Sequence, residues 1–476
     1  MNQPNLKDPA KVALAAMVIL CIGAIVFFRE RLFADTSFSA FNIINYKTFY
    51  IENQRYGSFI PQLIPYIGQR LHLPLKVLLI GYVLSANLFY LITASVLVYR
   101  YKQYALAICM SLYYYLFVSD SFFMANADIN QAVAWMFLMF GKTIHLGKRQ
   151  VNFYLLLLPF LLFALLALSA HFIVIIPTFF ILIYLVIDKE NWPFSVKESI
   201  VFGFFLAAIV IAKMLFSGSS QAYESAHLYN LTHLSFKDIF NSFSTPVVTI
   251  FVYRCLTNYW IAIIVFTAGL TVLIKNKQKA LFWWILIVCI GYFLLMGLVY
   301  ADYDSSLALF HIELEWACIG IIIAMPFVYA FLTRLNPKLV TVFLSVILLT
   351  RLAYIGSSIQ KFTWRTHFTQ KILAEMNKEN KYKMAFYYDS TKPKYILDWS
   401  LGYESLLESA LEGDRPQRSF IMINKDNQKQ AIALQSNRTE VFLYNFTNHK
   451  DLNKEYFEID TTQPYQVTNL ADFLKQ

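Results

Sequence analysis

Apolar residues in this chain fall into long runs, with neither the strict alternation of a half-buried strand nor a single helical stripe. A helix of about 20 apolar residues crosses the hydrocarbon core of a bilayer. Eleven runs are read as spans: 12–28, 75–98, 105–118, 129–144, 151–168, 172–187, 199–216, 256–274, 280–300, 315–332 and 339–356. The long run 151–187 is divided at the polar break Ser169-Ala170-His171. The segment 246–256, which holds Arg254, reads as an interfacial helix leading into the eighth span. From Ser357 onward the pattern changes. Charges become frequent and the apolar stretches shrink to "AFYY", "SFIMI", "AIAL" and "VFLY", which read as short strands. "LDWSLGYESLLESALEG" has apolar residues at helical spacing and a glycine stop, so it reads as one amphipathic helix. The expected fold is therefore an all-α polytopic membrane domain over 1–356, with about 11 transmembrane helices, followed by a small α/β domain over 357–476.

Composition supports the membrane class. Of 476 residues, 58% are hydrophobic and 15% charged, against about 25% charged in soluble domains. Mean hydropathy is +0.49. The first run follows Lys7 and Lys11 like a signal peptide, but Arg29-Glu30-Arg31 stands where a small-residue cleavage site belongs. It reads as a retained helix. All five cysteines (Cys21, Cys109, Cys255, Cys289, Cys318) lie inside apolar runs, as buried small hydrophobes do.

Charge then orients the chain. The net charge of +10 sits largely in short loops between spans, which points to anionic lipid and not to nucleic acid. One set of loops carries the cations: "RYKQY", "GKTIHLGKRQ", "DKENWPFSVKE", "KNKQK" and "TRLNPK". The alternate set, "SDSFFMANADIN", "SAH", "SGSSQAYESAHLYN" and "ADYDSSLALFHIE", has no Lys or Arg. This is the positive-inside pattern. It predicts a plasma (inner) membrane protein with a cytoplasmic N-terminus and an extracytoplasmic C-terminal domain. The first outer loop, 29–74, departs from it by carrying Arg29, Arg31, Lys47, Arg55 and Arg70. Anion binding explains basic residues kept on the outer side. The alternative is that loops this long escape the rule.

Ionisable groups at a membrane face are functional candidates, because they are costly unless paired or wet. At the outer face these are Asp35 just past the first span, Asp120 and Asp128 in the second outer loop, and His171 at the sixth span. Asp302, Asp304, His311, Glu313 and Glu315 flank the tenth. Lys213 and Arg254 lie near outer helix ends. Carboxylates for proton transfer and cations for phosphate would meet in one outward chamber. The plainer readings are solvated loop positions for Asp120, Asp128, Asp302 and Asp304, a carbonyl-satisfied helix end for His171, and snorkelling for Lys213.

With "FADTSFSAFNIINYKTF" in the first loop, "SDSFFMANADIN" in the second and "LALSAHFIVIIPTFFILIYL" further on, the chain resembles the GT-C superfamily of membrane glycosyltransferases. These include the protein O-mannosyltransferases and the lipid A aminoarabinose transferases. Members often carry two adjacent acids in the first loop, whereas here Thr36 follows Asp35. The late Arg-rich motif of some members is replaced by "ALFHIELEW". The resemblance implies an inverting transfer of sugar from a polyprenyl-phosphate donor to a glycan, lipid or protein acceptor. Asp35 would be the base or a metal ligand (Mg or Mn), and Lys47, Arg55, Lys213, Arg254, His171 and His311 the donor and phosphate ligands. Asp120 and Asp128 would orient the donor or bind a divalent ion. The competing readings are a polysaccharide polymerase of the Wzy/EpsG type and a non-enzymatic transporter or assembly protein of cell-envelope glycans. A transporter predicts inverted repeats, and no second half resembles the first.

Overall fold

A computed structural model describes residues 6–216, 234–301, 309–388 and 395–474. The fold is mostly helical. In chain order the helices are α1 (Lys7–Val26), α2 (Asp35–Tyr46), α3 (Leu63–Arg70), α4 (Leu75–Ser95), α5 (Tyr104–Leu116), α6 (Asp128–Lys148), α7 (Phe153–Ala170), α8 (Ile175–Asp188), α9 (Val196–Phe216), α10 (Phe236–Asn241), α11 (Pro246–Thr257), α12 (Trp260–Lys275), α13 (Lys279–Val299), α14 (Leu309–Glu315), α15 (Ile319–Pro326) and α16 (Pro337–Lys378).

Among the described residues, seven helical segments are long and apolar enough to cross a membrane: Lys7–Val26, Leu75–Arg100, Phe153–Ala170, Val196–Leu215, Phe236–Thr257, Lys279–Val299 and Pro337–Lys378. Four apolar helices are shorter: Tyr104–Leu116, Phe172–Asp188, Trp260–Lys275 and Ile319–Arg334. All eleven runs expected from the sequence are helical, but five of them fall outside the set of seven. Four of the five are short. The fifth, α6, carries Asp128, Gln131, Lys142 and Lys148. Neighbouring helices bury residues 131–141 throughout, Gln131 among them, whereas Asp128 and Lys142 are half-buried and Lys148 is exposed at the helix end. The segment 246–256, expected at the interface, belongs instead to the candidate span Phe236–Thr257.

The change of composition at 357 is not a break in the backbone. α16 runs through it for 42 residues, about 63 Å at 1.5 Å per residue. Its first half presents Leu339, Val342, Phe343, Val346 and Leu349 outward. Its second half packs Ile372, Leu373 and Met376 against the C-terminal sheet.

Beyond α16 come β1 (Lys383–Tyr388), α17 (Asp398–Leu411), β2 (Ser419–Asn424), α18 (Gln428–Ser436), β3 (Glu440–Leu443), β4 (Asn445–Asn448), β5 (Gln466–Asn469) and the short α19 (Leu470–Phe473). β1 lies centrally in a parallel sheet of order β2-β1-β5, with Met384 opposite Phe420 and Gln466. β3 and β4 form an antiparallel hairpin. Three of the four expected strands and the amphipathic helix α17 are present. "AIAL" is instead part of α18. The Asn427 side chain caps that helix by accepting from the Gln430 N–H, and only Ala431 and Leu434, three apart, are buried. The C-terminal domain does not hang free. Leu32, Phe41 and Ile44 of the first loop share one apolar core with Tyr403, Leu406, Leu407, Val441 and Phe457.

Candidate functional site

The chain leaves α1 in a turn, makes an isolated bridge between Leu32 and Met124, and starts α2 at Asp35. Ala34, the residue before it, has φ 50° and ψ −119°. A side chain in that region of backbone space costs on the order of 1–3 kcal/mol. Three hydrogen bonds hold it. The Ala34 N–H donates to Glu404 of α17 at 2.9 Å. The Ser37 hydroxyl and the Phe38 N–H donate to the Ala34 carbonyl at 2.8 and 3.2 Å. Asp35 thus sits in the first turn of a helix, where a negative charge is favoured. Burial outweighs that and pushes its carboxyl up to about 6, with the negative charges of Glu52 and Asp128 adding and Arg55 opposing. Burial raises the Glu52 carboxyl as well, against the pull of Arg55.

Loop 1 is fixed against the helices by Gly57. A Cβ there would lie 2.0 Å from the Leu166 carbonyl oxygen and 2.9 Å from the Ala170 Cβ. The Trp135 indole N–H donates to the Gly57 carbonyl at 3.0 Å. Two residues earlier, Arg55 reaches Asp128 at 3.0 Å. Gly57→Ala is therefore expected to push the loop off α7 and lower stability by about 1–3 kcal/mol. A fall in the melting temperature of the purified protein checks this; an unchanged melt would show that the contact yields.

The structure places Asp35, Glu52, Arg55 and Asp128 within electrostatic reach of one another. Arg55 and Lys213 lie within such reach of the His171 ring. His171 Nδ1 accepts from the Ile173 N–H at 3.3 Å, and Lys213 donates to the Leu168 carbonyl at 2.9 Å. So one constellation joins Asp35, Arg55, Asp128, His171 and Lys213 of the expected residues. Lys47 stands apart at the other end of α2, about 18 Å along the helix, and pairs with Glu455 at 3.8 Å.

Asp120, His311 and Arg254 belong to a second region. Asp120 is fully buried, not solvated. It accepts from Ser358 (2.6 Å), Lys361 (3.0 Å) and Tyr395 (3.1 Å). Near the tenth span, Glu313 turns inward. Its carboxylate accepts from the N–H groups of Ser119, Asp120 and Ser121 (2.9, 3.2 and 2.7 Å), the hydroxyls of Ser119 and Ser121, and Tyr259 (2.8 Å). The second outer loop is thereby tied to α14. His311 lies two residues away, its ring 4.2 Å from Phe310. Arg254 donates to the Asn258 side chain at 3.1 Å. Asp302 and Asp304 lie outside the described residues.

Sequence reasoning passed over Glu52, Arg351, Lys361, Arg365 and Glu404. Arg351, inside the apolar half of α16, donates to the carbonyls of Tyr115, Asn258 and Val118 (2.9, 2.5 and 2.9 Å), which end α5 and α11. Arg365 pairs with Glu404. The signal was present: Arg351, Ser358 and Arg365 recur every seven residues, which is one face of a helix. Ending the span at 356 hid it. Among the described residues, no group of three or more His, Cys, Asp and Glu side chains is arranged to hold a metal ion. The magnesium or manganese implied by the family resemblance finds no cradle there. Comparison with known proteins gave no match to a family model, a curated protein or a solved structure.

Proposed function

We propose that this chain is an extracytoplasmically acting membrane glycosyltransferase of GT-C type. On this reading its eleven apolar segments lie in or against the bilayer, with the N-terminus cytoplasmic. It moves a sugar from a polyprenyl-phosphate donor to an acceptor, with Asp35 as general base. The observation that carries the reading is the Asp35 carboxyl, held beside Glu52, Asp128 and Arg55 with its proton affinity raised to about 6. A base of that strength is ionised at neutral pH and still takes a proton readily. The Asp35 carboxylate removes the acceptor hydroxyl proton. The acceptor oxygen bonds to the anomeric carbon as the bond from that carbon to the phosphate oxygen breaks. Polyprenyl phosphate leaves with the electron pair. Arg55 is the cation beside Asp35; on this reading it stabilises the departing charge, with Lys213, which lies by His171, as the second cation. The lipid tail enters sideways between helices.

The sign of the pH dependence follows. The active form is the ionised one, so the rate rises with pH and its acid limb has a midpoint near 6. The test measures polyprenyl phosphate released from the cell's own polyprenyl-phospho-sugar pool, reconstituted with the protein in lipid vesicles. A midpoint near 6, with release lost in Asp35→Asn, supports the reading. Wild-type release from Asp35→Asn would end it, as would wild-type release from Asp35→Asn, Asp128→Asn and Arg55→Ala alike.

A further inference from the structure

The C-terminal domain touches the backbone at one point directly before Asp35, and that contact is buried. Glu404 of α17 accepts the Ala34 N–H at 2.9 Å. The same carboxylate oxygen accepts from Ser400 at 2.9 Å, and the other oxygen pairs with Arg365. Arg365 in turn lies over the Phe33 ring at 4.9 Å. Glu404 and Arg365 are 7% and 3% exposed, so water does not substitute for either partner.

We infer that Glu404 is a positioning residue for Asp35, and that the C-terminal domain completes the transfer site instead of serving as a separate module. The inference rests on the reading of Asp35 as the base. Ala34 holds a positive φ that a side chain disfavours. Released from Glu404, its backbone turns toward ordinary values and re-aims the first residue of α2, which is Asp35. Docking of the domain does not need this contact. The shared apolar core of α2 and α17 supplies it. So does Arg29, which pairs with Glu408 and Glu412 at 2.5 and 2.6 Å near the rim. Glu404 alone of these three glutamates, spaced one turn apart on α17, reaches the strained residue.

A buried ion pair is in itself weak evidence for a stability role, since apolar residues of similar volume often replace one without loss. That fact gives the test its control. Full-length protein in lipid vesicles is compared as wild type, Glu404→Gln, Glu404→Ala, the double apolar exchange Arg365→Met with Glu404→Met, Glu412→Gln and Asp35→Asn. The readout is polyprenyl phosphate release over donor concentration and pH, using the reconstituted polyprenyl-phospho-sugar pool. Among the described residues the titratable and charged groups facing Asp35 are Glu52 and Arg55 of the loop, Asp128 of α6 and the Tyr82 hydroxyl of α4. All of them stay unchanged in the Glu404 variants.

Glu404→Gln keeps an oxygen for the Ala34 N–H and is expected to retain at least about a third of the rate. Glu404→Ala is expected to lower the maximal rate about 10–100-fold. Its half-saturating donor concentration should move less than about threefold, and its acid limb should fall toward the ordinary carboxylate range. Where Glu404→Ala does not fold, the double exchange reads the same loss without leaving a buried charge. Glu412→Gln should match wild type. A folded Glu404→Ala or double exchange with wild-type rate and an unmoved acid limb would overturn the inference. A fully active Asp35→Asn would instead overturn the reading beneath it, so the two failures are distinct.

Discussion

With Asp35 as the proposed base, Asp35→Asn is expected to lower the proposed sugar transfer by about 10²–10⁴-fold, the range a positioned general base contributes, while leaving the protein folded. Asn has the shape of Asp and removes the charge that burial already disfavours at this site. Stability should therefore hold or rise slightly as transfer falls. That opposite movement separates a catalytic role from a structural one. A loss of activity that tracked a loss of folded protein would assign Asp35 to the scaffold. The measurement is release of polyprenyl phosphate at matched protein abundance, with a thermal melt on the same preparation.

The largest effect on stability is expected at Glu313. Its carboxylate gathers six donors from loop 2 and Tyr259 in a site 1% exposed. Glu313→Ala leaves three backbone N–H groups and three hydroxyls to find new partners. Each buried donor left unsatisfied costs about 1–3 kcal/mol, and partial relaxation brings the sum to on the order of 3–5 kcal/mol. Glu313→Gln keeps one acceptor oxygen and should lose roughly half as much. Loop 2 leads from this cage directly to Asp128, so the Ala variant should also loosen the Asp128–Arg55 pair. Detergent-purified protein would show it as a lowered melting temperature. A Glu313→Ala protein as stable as wild type would mean the loop is held from elsewhere.

The helical plan was legible because an apolar run long enough for a bilayer leaves its trace in composition alone. All eleven expected runs are helices, and α17 was readable from its spacing. What was not legible has definite causes. α6 looks like a span, yet polar residues at both of its ends lower its apolar character, and its middle is buried by neighbouring helices that a single run does not report. "AIAL" reads as a strand until Asn427 is seen to cap it as helix. α16 was cut at residue 356 because the apolar run ends there, although the helix does not. That cut concealed Lys361 and Arg365, the two cations through which the upper half of α16 meets Asp120 and Glu404.

The candidate site was legible in part. Asp35, Arg55 and Asp128 were named from their place at the outer face, and the fold brings them together. Glu52 was passed over because a lone acid in a long polar loop carries no periodic signal. Lys47 lies at the far end of α2 and pairs with Glu455, a separation along a helix that charge counting does not report. Asp120 read as a donor- or ion-binding candidate or, more plainly, as a solvated loop acid; the fold shows Ser358, Lys361 and Tyr395 closing over it.

The account depends on Asp35 and the C-terminal domain facing the same, non-cytosolic side. Membrane-impermeant maleimide labelling of single variants Lys47→Cys, Lys450→Cys and Lys277→Cys in intact cells tests this directly. Labelling at 47 and 450 without permeabilisation, and at 277 only after it, is the predicted result. Labelling at 277 in intact cells, with 47 and 450 protected until the membrane is opened, would contradict it.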